Sequence, residues 1–425
     1  MLSTRAKHNL LAVSTYRETA INTEQTLDLS LMVGLSDIIT LVQRRENNAN
    51  EATGMEEPDY IYDNGATAQA SFNFPKAQPQ HFAFLLASAL GSIATTAAGD
   101  GYLHTITPIA GDVDINRSNP SFSAMQRLGK TILKRRFLSM FVDGVTMSFK
   151  KDDWVGISGD IKGTGKYVDN VTEETITALG NATSLTLAAN AVEGSTAAER
   201  LDNVQRIRIE LTTGVWTEVA YSAVSAATPA VITITSPGGA ATDFTYKVLY
   251  TPDEAAAFTF PAKIQETPLR VSELTVVMGG TWNGTTFAGG RTLSSEINSI
   301  ECKFSNKLAI EFFPGAGGAY ASGCYREGRE QSVTIDRKMR EMILQQHVTA
   351  NTQFGLRLLA EGALYDGSNK YQVEIIYPKL QLLSADPKID GMTVGETGNV
   401  QVLEDATYGS VIIKIKNLQP GYARV

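Results

Sequence analysis

Cysteine and histidine are scarce: 425 residues carry two Cys and four His. Two cysteines exclude a disulfide-rich scaffold, and neither Cys302 nor Cys324 belongs to a CxxC or Cys/His cluster. His8, His81, His104 and His347 are scattered without HExxH spacing, so neither a metal nor any other cofactor is expected. Positive charge is also in deficit. At a net charge of −8, no broad basic face is available to neutralise phosphates, the interaction that supplies most non-specific nucleic-acid affinity. Long apolar runs are missing as well. Residues 10–13 are too few for the apolar core of an export signal, and residues 82–94 are too short and too interrupted to span a bilayer. The expectation is a soluble chain made in a cytoplasm, with no membrane-spanning segment.

Catalytic and nucleotide signatures fail in the same way. KGTGKY (162–167) and LGKTI (128–132) lack the glycine that a phosphate loop places five residues before its GK. No GxSxG or distinctive carboxylate pair is present, and His104, inside GYLHTITP, reads as a hydrogen-bonded structural residue. The cluster Lys130, Lys134, Arg135 and Arg136 lacks interleaved aromatics and reads as a solvated or inter-subunit face. No enzymatic activity is expected.

What the chain does have is alternation. Tyr371, Val373, Ile375 and Tyr377 alternate with more polar neighbours, and Val411, Ile413 and Ile415 do the same, which is the period of half-buried strands. The fold is expected to be mainly β, with few helices. QPQHFAFLLASALGS carries Phe82, Leu85, Leu86 and Ala89 on one stripe, with Pro79 in its first turn and Gly91 at its end. A second helix is expected directly after Asp336, through RKMREMILQQH, with Met339, Met342 and Ile343 on one stripe.

Between 172 and 252 the texture changes to Ala, Thr and Val, with short strand-like runs between turn clusters. Three segments follow: 1–167, an inserted all-β domain at 168–256, and 257–425. FVDGVTMSF (141–149) and EINSIECKF (296–304) place apolar residues at matching spacings, which points to two related lobes, each with a flanking helix. The polar stretch 43–60 reads as a long surface loop, where a β-scaffold often meets a partner. Along SIECKFSNKLAIEFF, Ile300, Cys302, Phe304, Leu308, Ile310 and Phe312 share one face, interrupted only by Asn306. Cys302 is thus a small buried hydrophobe. Cys324 lies beyond the glycine-rich tip PGAGGAYASG, and reducing conditions disfavour its pairing with Cys302.

In order and spacing, these pieces resemble the major tail tube protein of long-tailed bacteriophages. The resemblance runs through NEATGMEEPD, FNFPKAQP into HFAFLLASALG, YLHTITP, FVDGVTMSF with WVGISGDIKGTGK, INSIECKFSNKLA to GREQSVTID, and VIIKIKN; the central insertion lies outside it. It implies a tail-tube-type β-sandwich or barrel that closes into rings, three chains of pseudo-sixfold symmetry or six, stacked into a tube in the virion. DNA would pass through the lumen without specific binding, and other tail proteins would meet the tube ends. On that reading Glu46, Glu51, Glu56, Glu57 and Asp59 lie at ring-to-ring contacts or near the channel. Ile300, Cys302, Phe304, Leu308 and Ile310 then lie in a ring-forming hairpin, and the insertion faces outward. Another phage ring or baseplate protein of the same fold, or a hydrolase on a β-scaffold, are the alternative readings.

Overall fold

The computed structural model describes residues 7, 9–109, 119–129, 133–253, 258–315 and 318–424. The chain is mainly β and divides into two compact units. The smaller comprises Met1–Leu11, Met125–Arg136 and Tyr167–Phe260. Within it, Thr172–Leu179, Asp243–Tyr250, Val204–Thr212 and Val215–Glu218 form a four-stranded antiparallel sheet in that order. A three-stranded sheet is built from Ser184–Thr186, Val231–Ile234 and Tyr221–Val224. Their buried faces meet in a core of its own, with Ile207, Ile209, Tyr246 and Val248 fully enclosed.

The larger unit holds most of the chain. Besides the short strands Leu10–Val13, Leu29–Leu31 and Phe122–Leu128, the elements before the insertion are β1 (Thr40–Asn47), β2 (Ile61–Phe74), α1 (Pro79–Leu90), β3 (Gly91–Ala98), β4 (Gly101–Pro108), β5 (Leu133–Lys150), which starts in the smaller unit, and β6 (Val155–Gly163). After the insertion come β7 (Leu274–Trp282), β8 (Ile297–Ser305), β9 (Leu308–Glu311), β10 (Gly323–Arg326), β11 (Glu330–Lys338) and α2 (Ile343–Thr349). The chain closes with β12 (Gln353–Leu364), β13 (Lys370–Asp390), β14 (Thr393–Val402) and β15 (Ile412–Asn417).

Strand pairing sorts these elements into two sheets. One runs β3, β4, β15, the first half of β13, β12, β7. The other runs β1, β2, β6, β5, β8, β11, β14 and the second half of β13. With 21 residues, β13 is long enough to serve both. Among the described residues no closed barrel forms.

In the eight-stranded sheet one strand order occurs twice. In β1, β2, β6, β5 the outer two strands form a hairpin and α1 follows β2; in β8, β11, β14, β13 the outer two are again a long hairpin and α2 follows β11. The last pair is in both cases a hairpin with a register shift, at Val142/Gly144 and at Leu382/Ser384. The two sets meet where β5 pairs with β8. The stretches that echo each other in sequence are therefore not counterparts but antiparallel neighbours, with Val145 opposite Phe304, Met147 opposite Cys302 and Phe149 opposite Ile300. Both are central strands with one face in the core, and that shared setting selects the same apolar spacing.

α1 starts and stops as its sequence predicts, with Pro79 in the first turn and Gly91 left-handed at φ 87°. It is buried along its whole length rather than on one stripe. Leu85 lies so close to Gly159 of β6 that a Cβ there would come within 2.7 Å of it, so glycine is what lets helix and sheet meet. His81 stacks on Phe74 with ring centroids 4.0 Å apart, and burial lowers its pKa to about 3, keeping it neutral. The second expected helix is shorter than its pattern. Residues 336–338 belong to β11, and α2 begins only at Ile343, leaving Met342 exposed. Gln331, Val333, Ile335 and Arg337 alternate inward, and the two-residue period of a paired strand overrides the local helical stripe.

Candidate assembly edges

An antiparallel sheet that does not close leaves two rows of unpaired backbone groups. Here the outer strands are β1, which pairs only with β2 among the described residues, and the second half of β13, whose side away from β14 has no partner beyond Gln381. By the repeated strand order, β1 is the counterpart of β8 and β13 the counterpart of β5, the two strands that are joined inside the chain.

Large apolar side chains are exposed along both edges. Near β1 they include Ile38, Val42 and Ile61, and at the other edge Leu383, Ile389, Met392 and Val394, with Ile389 83% and Met392 104% accessible. Isolated exposed hydrophobes are ordinary, but clusters at open strand edges mark contact surfaces. Pro387 fits the edge too. The turn Gly391–Met392 is closed by Asp390 opposite Thr393, which sets the alternation so that residue 387 turns its nitrogen away from β14. Proline there costs the β13–β14 hairpin no hydrogen bond, and it limits indiscriminate pairing at the free side.

The acidic residues named from sequence lie in the β1–β2 hairpin. Glu46 is in β1 opposite Tyr62, while Glu51, Glu56, Glu57 and Asp59 belong to the connecting tip. That tip is organised by Asn48, only 5% exposed. Its Nδ2 donates to Asp59 Oδ1 at 2.6 Å, its Oδ1 accepts from the Asp59 and Tyr60 amides at 3.2 and 3.3 Å, and its own amide donates to the Tyr60 carbonyl. The Tyr62 hydroxyl donates to Glu51 Oε2 at 2.6 Å. Glu56 and Glu57 remain exposed.

The hairpin with both cysteines divides into two parts. Ile300, Cys302 and Phe304 are buried in β8, whose two sides are taken by β5 and β11, so this part offers no free edge to a neighbour. Leu308 and Ile310 belong to the two-stranded β9–β10 extension, Leu308 buried and Ile310 half-buried opposite Cys324. Asn306, the polar interruption, is 2% exposed and donates from Nδ2 to the carbonyls of Ala89 (2.9 Å) and Val142 (3.1 Å). Both thiols are free, and burial pushes each up to about 12; Cys302 also hydrogen-bonds the buried Tyr377. Of the glycine-rich tip, Ala316 and Gly317 lie outside the described residues.

The basic cluster is engaged within the smaller unit. Lys134 pairs with Glu193 at 2.8 Å, Arg135 pairs with Asp169 at 2.6 Å and stacks on Tyr167, and Arg136 is buried; Lys130 lies outside the described residues. His104 is enclosed, with Nδ1 bonded to Thr95 and Nε2 facing Asn417 and the Gln419 carbonyl, and burial lowers its pKa. Among the described residues no group of three His, Cys, Asp or Glu is placed to hold a metal, and no helix is long and apolar enough to cross a membrane. Sequence reasoning did not find the β13 edge, for which Pro387 in an alternating run was the available signal, or the buried Asn48, and it named Asn306 only as a polar interruption.

No protein-family model matches the chain, and no curated protein matches it. Among solved structures it is similar to the SPP1 tail tube, determined by solid-state NMR and cryo-EM as an NMR ensemble. The likeness covers 36% of this chain and 82% of that one, at 9% identity and a TM-score of 0.25.

Proposed function

We propose that this chain is a structural, non-catalytic subunit of a bacteriophage tail tube, forming stacked rings around the channel through which the genome is delivered. The observation that carries the proposal is the twice-repeated strand order with its unused ends. Inside the chain, the last strand of one four-stranded set pairs with the first strand of the next, over seven residue pairs from Ser299–Lys150 to Ser305–Gly144. The same junction, made between the outer half of β13 in one copy and β1 in the next, is head-to-tail and closes into a ring. Ring closure removes both open edges at once. Three chains would carry six four-stranded sets, the pseudo-sixfold arrangement. At strand spacings of about 4.8 Å and tilts of about 35–45°, such a sheet has a backbone radius of about 22–26 Å, wide enough for an aqueous channel.

Other features support the reading. The order of sequence pieces resembles the tail tube family, and a net charge of −8 suits a lumen past which phosphates slide without counterion-release contacts. The virion is then the site of action, after synthesis in the host cytoplasm, with other tail proteins at the tube ends. Electron microscopy of concentrated protein provides the test. Hollow tubes of uniform width are expected, with threefold rather than full sixfold order on averaging. Closed rings that never extend would favour a ring or baseplate protein instead, and a persistently monomeric chain would refute assembly altogether. Ile389→Lys should leave the monomer folded, since the side chain is exposed, yet block polymerisation.

A further inference from the structure

A cavity of about 640 Å³ opens at one end of the eight-stranded sheet, lined by Arg329 just before β11 and Gln331 within it, Gln401 and Val402 at the end of β14, and Glu404 and Tyr408 beyond. Arg329 is attracted through space by Glu404 in the same wall, but the fork edge it turns inward makes no hydrogen bond. Its Nε and Nη2 are sheltered from solvent without a hydrogen bond, and Gln331 Oε1 is likewise unsatisfied while its amide donates to Ser410. The Nε and Nη2 atoms form one edge of the guanidinium fork, which matches the two oxygens of a carboxylate. Buried polar groups are nearly always satisfied, so this charge is poised for a ligand that the isolated chain does not supply.

The equivalent place in the first four-stranded set is filled. There the β9–β10 extension folds over the ends of β2, β5 and β6. The Ala66 amide donates to the Ala319 carbonyl at 3.0 Å, the Leu308 amide to Asp143 Oδ1 at 2.7 Å, Lys162 Nζ to the Leu308 carbonyl at 3.0 Å, and the Ala321 amide to the Thr164 carbonyl at 3.0 Å. Gly65, at φ 89°, permits the approach, since a Cβ there would stand 2.6 Å from the Ala319 oxygen. That extension prolongs the hairpin beginning with β8. Its counterpart is the β1–β2 tip, residues 48–60, which projects beyond the same end of the sheet and carries Glu51, Glu56, Glu57 and Asp59.

We infer that the Arg329 cavity seats the acidic β1–β2 tip of a second copy of this chain, with a tip carboxylate taken by the Arg329 guanidinium. The inference rests on the self-assembly proposed above: once β1 of one copy pairs with β13 of another, the tip lies over the ends of β11 and β14, as β9–β10 lies over β2 and β6 within the chain. The cavity is large for a lone small anion and suits a chain segment. Glu404 in its wall disfavours a dianionic phosphate more than a single carboxylate.

A synthetic peptide of residues 46–62, labelled and titrated with the full chain, tests the seat independently of polymerisation. Saturable binding is expected, weakened at least tenfold by Arg329→Glu. A peptide with Glu51, Glu56 and Glu57 changed to Lys should fail on the unmodified chain and bind the Arg329→Glu chain. Arg329→Met should lose the peptide without lowering the melting temperature, because it removes a sheltered charge whose Nε and Nη2 make no hydrogen bond. Absent binding, binding indifferent to Arg329→Glu, or an Arg329-dependent response to a DNA oligonucleotide in place of the peptide would each overturn the inference. A monomeric chain that still binds the peptide would count against the tube and not against the seat.

Discussion

Arg337 of β11 is the largest fully buried side chain among the described residues, and its removal has a calculable consequence. The side chain is 0% exposed. Its Nε donates to Glu396 Oε1 at 2.5 Å, Nη1 to Glu296 Oε2 at 2.8 Å, and Nη2 to the Glu341 carbonyl at 3.0 Å. Glu396 is itself 0% exposed, and its Oε2 has no other partner. Arg337→Ala would therefore strand the Glu396 carboxylate away from solvent, leave Glu296 with Arg291 at 3.4 Å as its cation, and open a void between β8, β11 and β14. Removing one partner from a buried ion pair costs about 3–5 kcal/mol. At an m-value of about 3 kcal/mol/M, the urea midpoint falls by about 1–1.7 M. The readout must follow the larger unit alone. A Trp216→Phe background leaves Trp154 and Trp282, both in that unit, as fluorescence reporters. Replacing Arg337, Glu296 and Glu396 together by apolar residues of similar volume should recover most of the loss, because the cost lies in the uncompensated charges. A midpoint shift below about 0.3 M for Arg337→Ala at unchanged m would refute the argument, since the Glu396 carboxylate would then be finding water or a proton without penalty.

Four further outcomes follow from local geometry. Asn48→Ala removes the side chain that ties the two ends of the acidic tip, so proteolysis and amide exchange across 48–60 should accelerate about tenfold or more while the global melting temperature moves little. Asn306→Ala should cost about 1–3 kcal/mol in chemical denaturation by leaving the Ala89 and Val142 carbonyls without their donor. Burial raises the Glu266 carboxyl to about 7, despite amide donors from Gln80 and Leu418. Because the folded state holds this proton more tightly than the unfolded chain, its contribution is complete below about pH 4.5 and lost as pH rises through about 7. NMR titration of that carboxyl should give a midpoint near 7, and a midpoint near 4.5 would contradict the burial argument. The Cys302 thiol, fully enclosed and held protonated, should resist a thiol reagent at pH 8 until the protein is unfolded.

The elements that sequence made legible are those whose signal is local. Pro79 and Gly91 bound α1 because cap geometry is decided within a few residues, and the alternation at 371–377 identified β13 because one strand reports its own faces. Residues 336–342 misled because a helical stripe and a strand ending overlap there, and only the pairing of Arg337 with Glu396 across β11 and β14 decides between them. The echo between 141–149 and 296–304 misled for a deeper reason. Periodicity fixes which face a strand buries but not which strand it joins, so two neighbours in one sheet came to resemble each other more than either resembles its topological counterpart. β1 and β8 hold the same place in the repeated strand order, yet β8 buries Ile297, Ile300, Cys302 and Phe304 between mostly half-buried residues, while β1 is exposed or half-buried throughout. The difference lies in their neighbours: β8 has a strand on either side, whereas β1 has only β2 within its own chain. A strand that acquires its second partner from another molecule must stay soluble until they meet, so its sequence carries polar residues where its counterpart carries core. On the assembly proposed above, the polar character of residues 40–47 is a requirement of ring closure, and it hid the edge from a reading based on burial patterns.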